Sequence, residues 1–306
     1  MEKLNSSEPA ISVRGISKTY LNGKKQIKAL SDISLTIQKG SLFGLIGPDG
    51  AGKTSLFRIL TTLLLFDGGS ANVDGFDVIT DYKAIRKRIG YMPGRFSLYM
   101  DLTVEENLQL FASIFNTTVA KNFDLIKDIY VQIEPFKKRR AGKLSGGMKQ
   151  KLALCCALIH QPSVLFLDEP TTGVDAVSRK EFWEMLQSLK KKGITILVST
   201  PYMDEANLCD QVALIQNGKI LQVNTPHQII NQFVKPIFEV KGKDMLGLLA
   251  DLKTQSSVDH IYPFGEYHHL IPTGPLQDIV FPEETFVQQV KPNIEDVFIE
   301  LMRSHE

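Results

Sequence analysis

The stretch GPDGAGKT, Gly47 to Thr54, decides how this chain is read. It follows a short apolar run, Ser41 to Ile46, and leads into Lys53 to Leu65, a segment with helical periodicity. A glycine-rich loop between a strand and a helix turns successive backbone N–H groups toward one point, and the helix adds the positive end of its dipole. That arrangement cradles phosphate. Lys53 is placed to reach the outer phosphates of a nucleotide, and Thr54 to put its hydroxyl on Mg²⁺. Gly47, Pro48, Asp49, Gly50, Ala51, Gly52, Lys53, Thr54 and Ser55 are the candidate nucleotide-binding residues, and Lys53 is also a catalytic candidate.

Further along, VLFLDEP ends a hydrophobic run on two carboxylates, Asp168 and Glu169. A strand end of this kind faces the phosphates in folds built on such a loop. Asp168 is the second candidate for Mg²⁺, through water, and Glu169 the candidate that orients and polarises an attacking water. An Asp-Glu pair after an apolar strand is commonly just a solvated turn; its order and distance after the glycine loop favour chemistry here. Between the two motifs, Leu144 to Met148 reads LSGGM, with Ser145 as a helix cap and Gly146 and Gly147 allowing close backbone approach. The free N–H groups of that helix end form a second anion site.

Working outward, Ile11 to Tyr20 alternates like a strand, Asn22-Gly23 marks a turn, and Ala29 to Ile37 continues an antiparallel pattern. Thr103 followed by Glu106 reads as a capping box. From there to His160 the pattern is mostly helical, with Phe111, Ile114, Phe115, Leu125, Ile126 and Ile129 as core candidates. Strand Val164 to Leu167, helix Ala176 to Lys191 and strand Ile194 to Ser199 then alternate, which predicts a mainly parallel sheet flanked by helices. After Phe233 the texture changes, and Lys235-Pro236 marks a boundary.

Taken together, the motifs resemble those of an ATPase subunit of an ABC transporter, from about Ile11 to Phe233. The resemblance implies an α/β fold: a P-loop, RecA-like core with a mainly parallel sheet, an antiparallel β subdomain and a helical signature subdomain at about 95–160. The expected layout is a tail at 1–10, the ATPase domain at 11–233 and a small α+β appendage at 236–306. It implies ATP and Mg²⁺ as ligands. It further implies a dimer with a second ATPase, in which Ser145, Gly146 and Gly147 meet the γ-phosphate of ATP held on the other subunit. Tyr20 matches the aromatic residue that stacks on adenine, and Asp175 lies in the loop that touches the partner's site. Pro292 to Leu301 is similar to the closing segment of ATPases that drive small separate permeases in drug, lipid or polysaccharide export.

Two positions depart from the family pattern. The glutamine expected after Tyr-x-Pro in IGYMPGRF is Gly94, and the switch histidine expected in ILVSTPYMDEA is Pro201, which offers neither a side-chain donor nor a backbone N–H. Losing a hydrogen bond to a charged phosphate costs roughly 1.5–3 kcal/mol, about 10- to 100-fold in rate. With Lys53 and Glu169 retained, a weakened site fits better than a dead one. A heterodimer follows as the expectation, one strong and one weak site. A binding-only regulatory subunit is the rival from another class.

Composition excludes several functions. Lys+Arg 35 against Asp+Glu 34 leaves a net charge of +1, so no basic surplus points to nucleic acid. No stretch reaches the ~18 apolar residues of a membrane span, so a permease must supply the bilayer part and the expected place is the inner face of the cell membrane. A soluble relative in translation or DNA repair would carry two cassettes or a long coiled coil, and the segment between the glycine loop and LSGGM is too short and irregular for that. Cys155, Cys156 and Cys209 read as small buried hydrophobes, and His268-His269 as a surface pair with a conceivable metal role.

Overall fold

A computed structural model describes residues 8–23, 25–94 and 97–304, so most of the expected tail, and Arg95 and Phe96 of IGYMPGRF, lie outside the described residues. The chain divides into two compact units, Met1–Pro226 and His227–Glu306.

The first unit opens with β1 (Ile11–Asn22) and β2 (Lys25–Ile37), paired antiparallel from Ile11↔Ile37 to Asn22↔Lys25. Then comes β3 (Leu42–Ile46), followed through the glycine loop by α1 (Lys53–Leu60). Strands β4 (Gly68–Val73) and β5 (Phe76–Asp77) complete a four-stranded sheet in the order β2-β1-β4-β5. Next are α2 (Tyr82–Arg88) and β6 (Ile89–Met92), then the helices α3 (Val104–Ile114), α4 (Phe123–Tyr130) and α5 (Gly146–Leu158). The rest alternates: β7 (Val164–Asp168), α6 (Ala176–Lys191), β8 (Thr195–Thr200), β9 (Gln211–Gln216) and β10 (Lys219–Asn224).

The main sheet runs β10-β9-β3-β8-β7-β6, parallel except for the β9–β10 hairpin. Every residue of β3, β7 and β8 is buried, as expected of parallel strands covered on both faces. Because β3 and β7 both lie parallel to β8, their carboxyl ends reach the same edge. Gly47 and Glu169 therefore emerge on either side of β8, where open α/β sheets bind ligands.

Helix α1 ends five residues before the expected Leu65. The Thr61 hydroxyl donates back to the Phe57 carbonyl at 2.8 Å, and Thr62 takes a left-handed φ of 65°, so the helix cannot continue. Leu64 and Phe66 then turn into the core while Leu63 and Leu65 face out: the apolar run alternates as an extended segment. In α3 the inward face is Val104, Leu108 and Ala112, which leaves Ile114 at 57% exposed rather than in the core. Phe111, Phe115 and Leu125 are half-buried; Ile126 and Ile129 are buried as expected. The Thr103–Glu106 capping box is formed, with bonds of 2.7 and 3.2 Å. Behind it the buried Asn107 amide donates to the carbonyls of Tyr99, Leu102 and Thr103 and accepts from the Tyr99 N–H. The three cysteines are buried, and burial pushes their thiols well above the usual range.

Helix α7 (Pro226–Asn231) straddles the division between the units. The second unit contains β11 (Ile237–Lys241), α8 (Met245–Lys253), β12 (Val258–Phe264), β13 (Tyr267–Pro272), β14 (Phe286–Val290) and α9 (Ile294–Ser304). Its strands form one antiparallel sheet in the order β12-β13-β11-β14, making an α+β unit with its own core around Val240, Leu252 and Leu270. His268 and His269, expected at the surface, are buried in this sheet. Among the described residues no cluster of three or more His, Cys, Asp or Glu could hold a metal ion.

Candidate functional site

The glycine loop closes on itself around Lys53, which is 3% exposed. Its ammonium donates to the carbonyls of Gly47 at 2.7 Å and Pro48 at 3.0 Å and pairs with Glu169 Oε1 at 3.1 Å. Burying an ammonium costs several kcal/mol unless partners compensate, and all three partners come from the loop and from the end of β7. Gly52 must be glycine: its φ is 106°, and an added Cβ would lie 2.5 Å from the Ala29 carbonyl. Ala51 anchors the loop in the core, and Asp49 and Gly50 stand exposed at its tip.

Asp168 is 2% exposed at the end of β7. One oxygen, Oδ1, accepts from the Ser199 hydroxyl at 2.6 Å and from the Thr54 hydroxyl at 3.3 Å. Thr54 and Asp168 thus bring two hard oxygen donors together, the ligand chemistry that Mg²⁺ selects, so the residues present fit that ion. Glu169 sits in the left-handed region at φ 51°, uncommon for a non-glycine residue. Its N–H, held by the Ser199 carbonyl at 3.1 Å, pins that conformation and swings the carboxylate back over the loop to Lys53. A cavity of about 160 Å³ remains there, lined by Gly50, Gly52, Lys53, Thr54, Ser55 and Glu169, among others. That is below the roughly 300–1,000 Å³ of drug-sized sites and suits a phosphate tail rather than a whole nucleotide. The Tyr20 hydroxyl joins the site through Ser55 Oγ at 3.1 Å.

Ser145, Gly146, Gly147 and Asp175 do not line this cavity. They form a second group. Ser145 caps α5, its hydroxyl accepting from the Met148 N–H at 3.4 Å. Gly147 presses on α6: a Cβ there would lie 2.6 Å from Ser178 Oγ. Asp175 caps α6 through the Ser178 N–H at 2.9 Å, which holds its carboxyl below the usual range.

Sequence reading missed two residues. Ser199 bridges Asp168 and Glu169, and only the pairing of β7 with β8 reveals it. Tyr91, on β6 beside β7, has its hydroxyl pushed up to about 12, by burial first and then by the charge of Asp168, with Arg58 opposing. Both departures from pattern lie at the site. A Cβ on Gly94 would stand 3.0 Å from the Asp168 carbonyl, and Pro201 follows Thr200, whose carbonyl accepts from the Gly47 N–H at 3.3 Å. His160, one of the two nearest histidines, bonds to the Ile89 carbonyl and stacks on Phe115.

Comparison with known proteins agrees with this geometry. A family model described as ABC transporter matches residues 30–172. The probable multidrug ABC transporter ATP-binding protein YbhF of Escherichia coli is 45% identical over 222 residues, 72% of this chain but only 38% of that protein's length. The doxorubicin resistance ATP-binding protein DrrA of Mycobacterium tuberculosis is 34% identical over 282 residues, covering 91% of this chain and 83% of that one. A dimeric ATP-binding cassette solved in a post-hydrolysis state with ADP and Pi superposes with a TM-score of 0.64 at 23% identity, over 70% of this chain and 98% of that one; at that identity it shows the fold. The fold and the phosphate loop define a P-loop ATPase cassette. The chain belongs to the ABC transporter family.

Proposed function

We propose that this chain binds and hydrolyses ATP and couples that cycle to export through a separate membrane permease, as one half of a dimer with a second ATPase. The observation that carries the reading is the meeting of Lys53, Glu169, Thr54 and Asp168 at one sheet edge. Lys53 would exchange its loop carbonyls for the β- and γ-phosphates. Glu169, freed from Lys53 by that exchange, would orient the attacking water. Thr54 and Asp168 would hold Mg²⁺, which supplies neutralisation of the phosphate charge when bound. Tyr20 would meet the adenine. The Ser145 helix end, with Gly146, Gly147 and Asp175, would serve the nucleotide of the facing subunit, in keeping with their separation from the Lys53 cavity.

No described helix is long and apolar enough to cross a membrane, which fits a permease carried by another chain and a peripheral place at the inner face of the cell membrane. By family resemblance the permease would dock at Gly94 to Tyr99 and the helix after it, a stretch in which Arg95 and Phe96 lie outside the described residues. Beside it an apolar groove of about 380 Å³ runs along Leu63, Tyr91, Phe111, Ile114 and Phe115. That groove suits a short permease helix. The six prolines, helices and sheet of 236–306 carry no evident chemistry, and we assign that segment an accessory role beside an ATPase domain at 11–233.

Gly94 and Pro201 favour a second reading, a subunit that clamps ATP with negligible turnover. Phosphate release by wild type and by Glu169→Gln separates the two. A fall of roughly 100-fold or more, with nucleotide affinity kept, is expected; equal rates would leave only the clamp. Lys53→Ala should abolish tight nucleotide binding under either reading, and retained affinity would remove the site itself.

A further inference from the structure

A cavity of about 380 Å³ lies between α3 and α4, and the nucleotide reading makes no use of it. Glu105, Leu108 and Ala112 reach it from α3 at positions i, i+3 and i+7, a spacing that places them on one helix face. From α4 come Phe123 and Tyr130, whose rings meet edge to face with centroids 5.7 Å apart at 75°.

Two features distinguish this cavity from a plain gap between helices. Tyr130 is only 8% exposed, and its hydroxyl, which makes no hydrogen bond among the described residues, is not sealed in but left open to solvent where the residue lines the cavity. Glu105 likewise makes no ion pair among the described residues and stands at the rim with its carboxylate free for a ligand. Burial raises the pKa of the Tyr130 hydroxyl, and the nearby carboxylates of Glu134 and Glu105 raise it further. Aromatic faces, an unpaired carboxylate and the aliphatic side chains of Leu108, Ala112 and Val119 together match one ligand chemistry. Gln109, Thr117 and Thr118 also line the cavity, but among the described residues no group of three or more His, Cys, Asp or Glu is placed to hold a metal ion, and a neutral apolar guest would leave Glu105 unused.

We propose that the α3–α4 cavity binds a small organic cation, an alkylammonium or quaternary ammonium group. Its charge lies between the Glu105 carboxylate and the rings of Phe123 and Tyr130, and its alkyl substituents rest on Leu108 and Ala112. The volume falls within the range of small-molecule sites. Helices α3 and α4 both pack on α5, so the occupant sits one helix away from the segment capped by Ser145. The inference stands apart from the nucleotide reading and is tested without nucleotide.

Choline and its neutral isostere 3,3-dimethylbutan-1-ol serve as probes, titrated into the full chain at constant ionic strength by calorimetry or ligand-observed NMR. Saturable choline binding is expected, at least about ten-fold tighter than that of the alcohol. Glu105→Gln and Phe123→Leu should each weaken choline by about ten-fold while changing the alcohol's affinity much less, so that the preference for choline shrinks. Glu105 is exposed in the first turn of α3, so its substitution leaves the fold in place, and an unchanged Tm verifies this. Absence of saturable choline binding overturns the proposal. So does equal binding of the two probes, or choline affinity indifferent to both substitutions.

Discussion

Two buried charges in this chain are held in opposite ways. Lys53, in the first unit, rests on two loop carbonyls and on a Glu169 carboxylate that is itself 23% exposed and attached to a left-handed backbone. Asp296, in the second unit, is 0% exposed and closed in. Its Oδ1 accepts from the Tyr262 hydroxyl and from His269 Nδ1, both at 2.6 Å, and its Oδ2 from the Asn293 N–H at 2.7 Å. Burial, with the Asp296 carboxylate behind it, raises the Tyr262 hydroxyl far above its ordinary value. The Asp296 network ties α9 to the sheet through β12 and β13 and uses both carboxylate oxygens, although His269 Nε2, on the far side of the ring, is buried without a hydrogen bond. The Lys53 network is made of groups that can let go. Satisfied buried polar groups build rigidity, whereas exchangeable ones at a cavity build a site.

The contrast breaks most readily at its two anchors. Glu169→Gln should cut ATP turnover by roughly 100-fold or more while changing unfolding stability by less than about 1 kcal/mol, since the amide oxygen still accepts from Lys53. Phosphate release and urea unfolding measure the two halves of that statement. Asp296→Ala should do the reverse. Stranding Tyr262, His269 and the Asn293 N–H should cost about 3 kcal/mol in urea unfolding, with affinity for a fluorescent ATP analogue unchanged. Comparable loss of affinity would show that Asp296 serves the nucleotide as well.

Smaller effects bear on the two departures at Gly94 and Pro201. Pro201→His restores a donor next to the Gly47–Thr200 hydrogen bond and should raise turnover by about ten-fold. An unchanged rate would mean that the proline is compensated elsewhere. Gly94→Gln should gain less, because a side chain there must first clear the Asp168 carbonyl at 3.0 Å. Smallest of all, Thr103→Ala opens the capping box of α3 and should lower stability by about 1 kcal/mol without altering turnover.

Local chemistry made much of this legible in advance. The bounds of α6, the Thr103 capping box, the Ser145 cap and the Lys53–Thr54 and Asp168–Glu169 pairs all rest on residues a few positions apart, where spacing alone sets which groups can meet. Three readings failed where distant chain intervened. The helical pattern of Lys53 to Leu65 broke after Leu60, where Thr61 bonding backward and the pull of the core on Leu64 and Phe66 made the chain extended. Ile114 fitted helical periodicity yet lies on the face that α3 turns outward. His268 and His269 resembled a surface pair, because nothing nearby in sequence announces that Tyr262 and Asp296 will enclose the second of them.

By itself the sequence determined the kind of fold, the phosphate loop and the acidic strand end, since each depends on backbone freedom and side-chain type within one short segment. Tertiary structure alone decided that Ser199 would join the Asp168 carboxylate to the Glu169 backbone N–H, that Gly147 would press on Ser178, and that Glu105, Phe123 and Tyr130 would share a cavity. Those meetings depend on which strands pair and how helices pack, and burial of apolar surface is satisfied by the whole chain at once rather than by any segment of it.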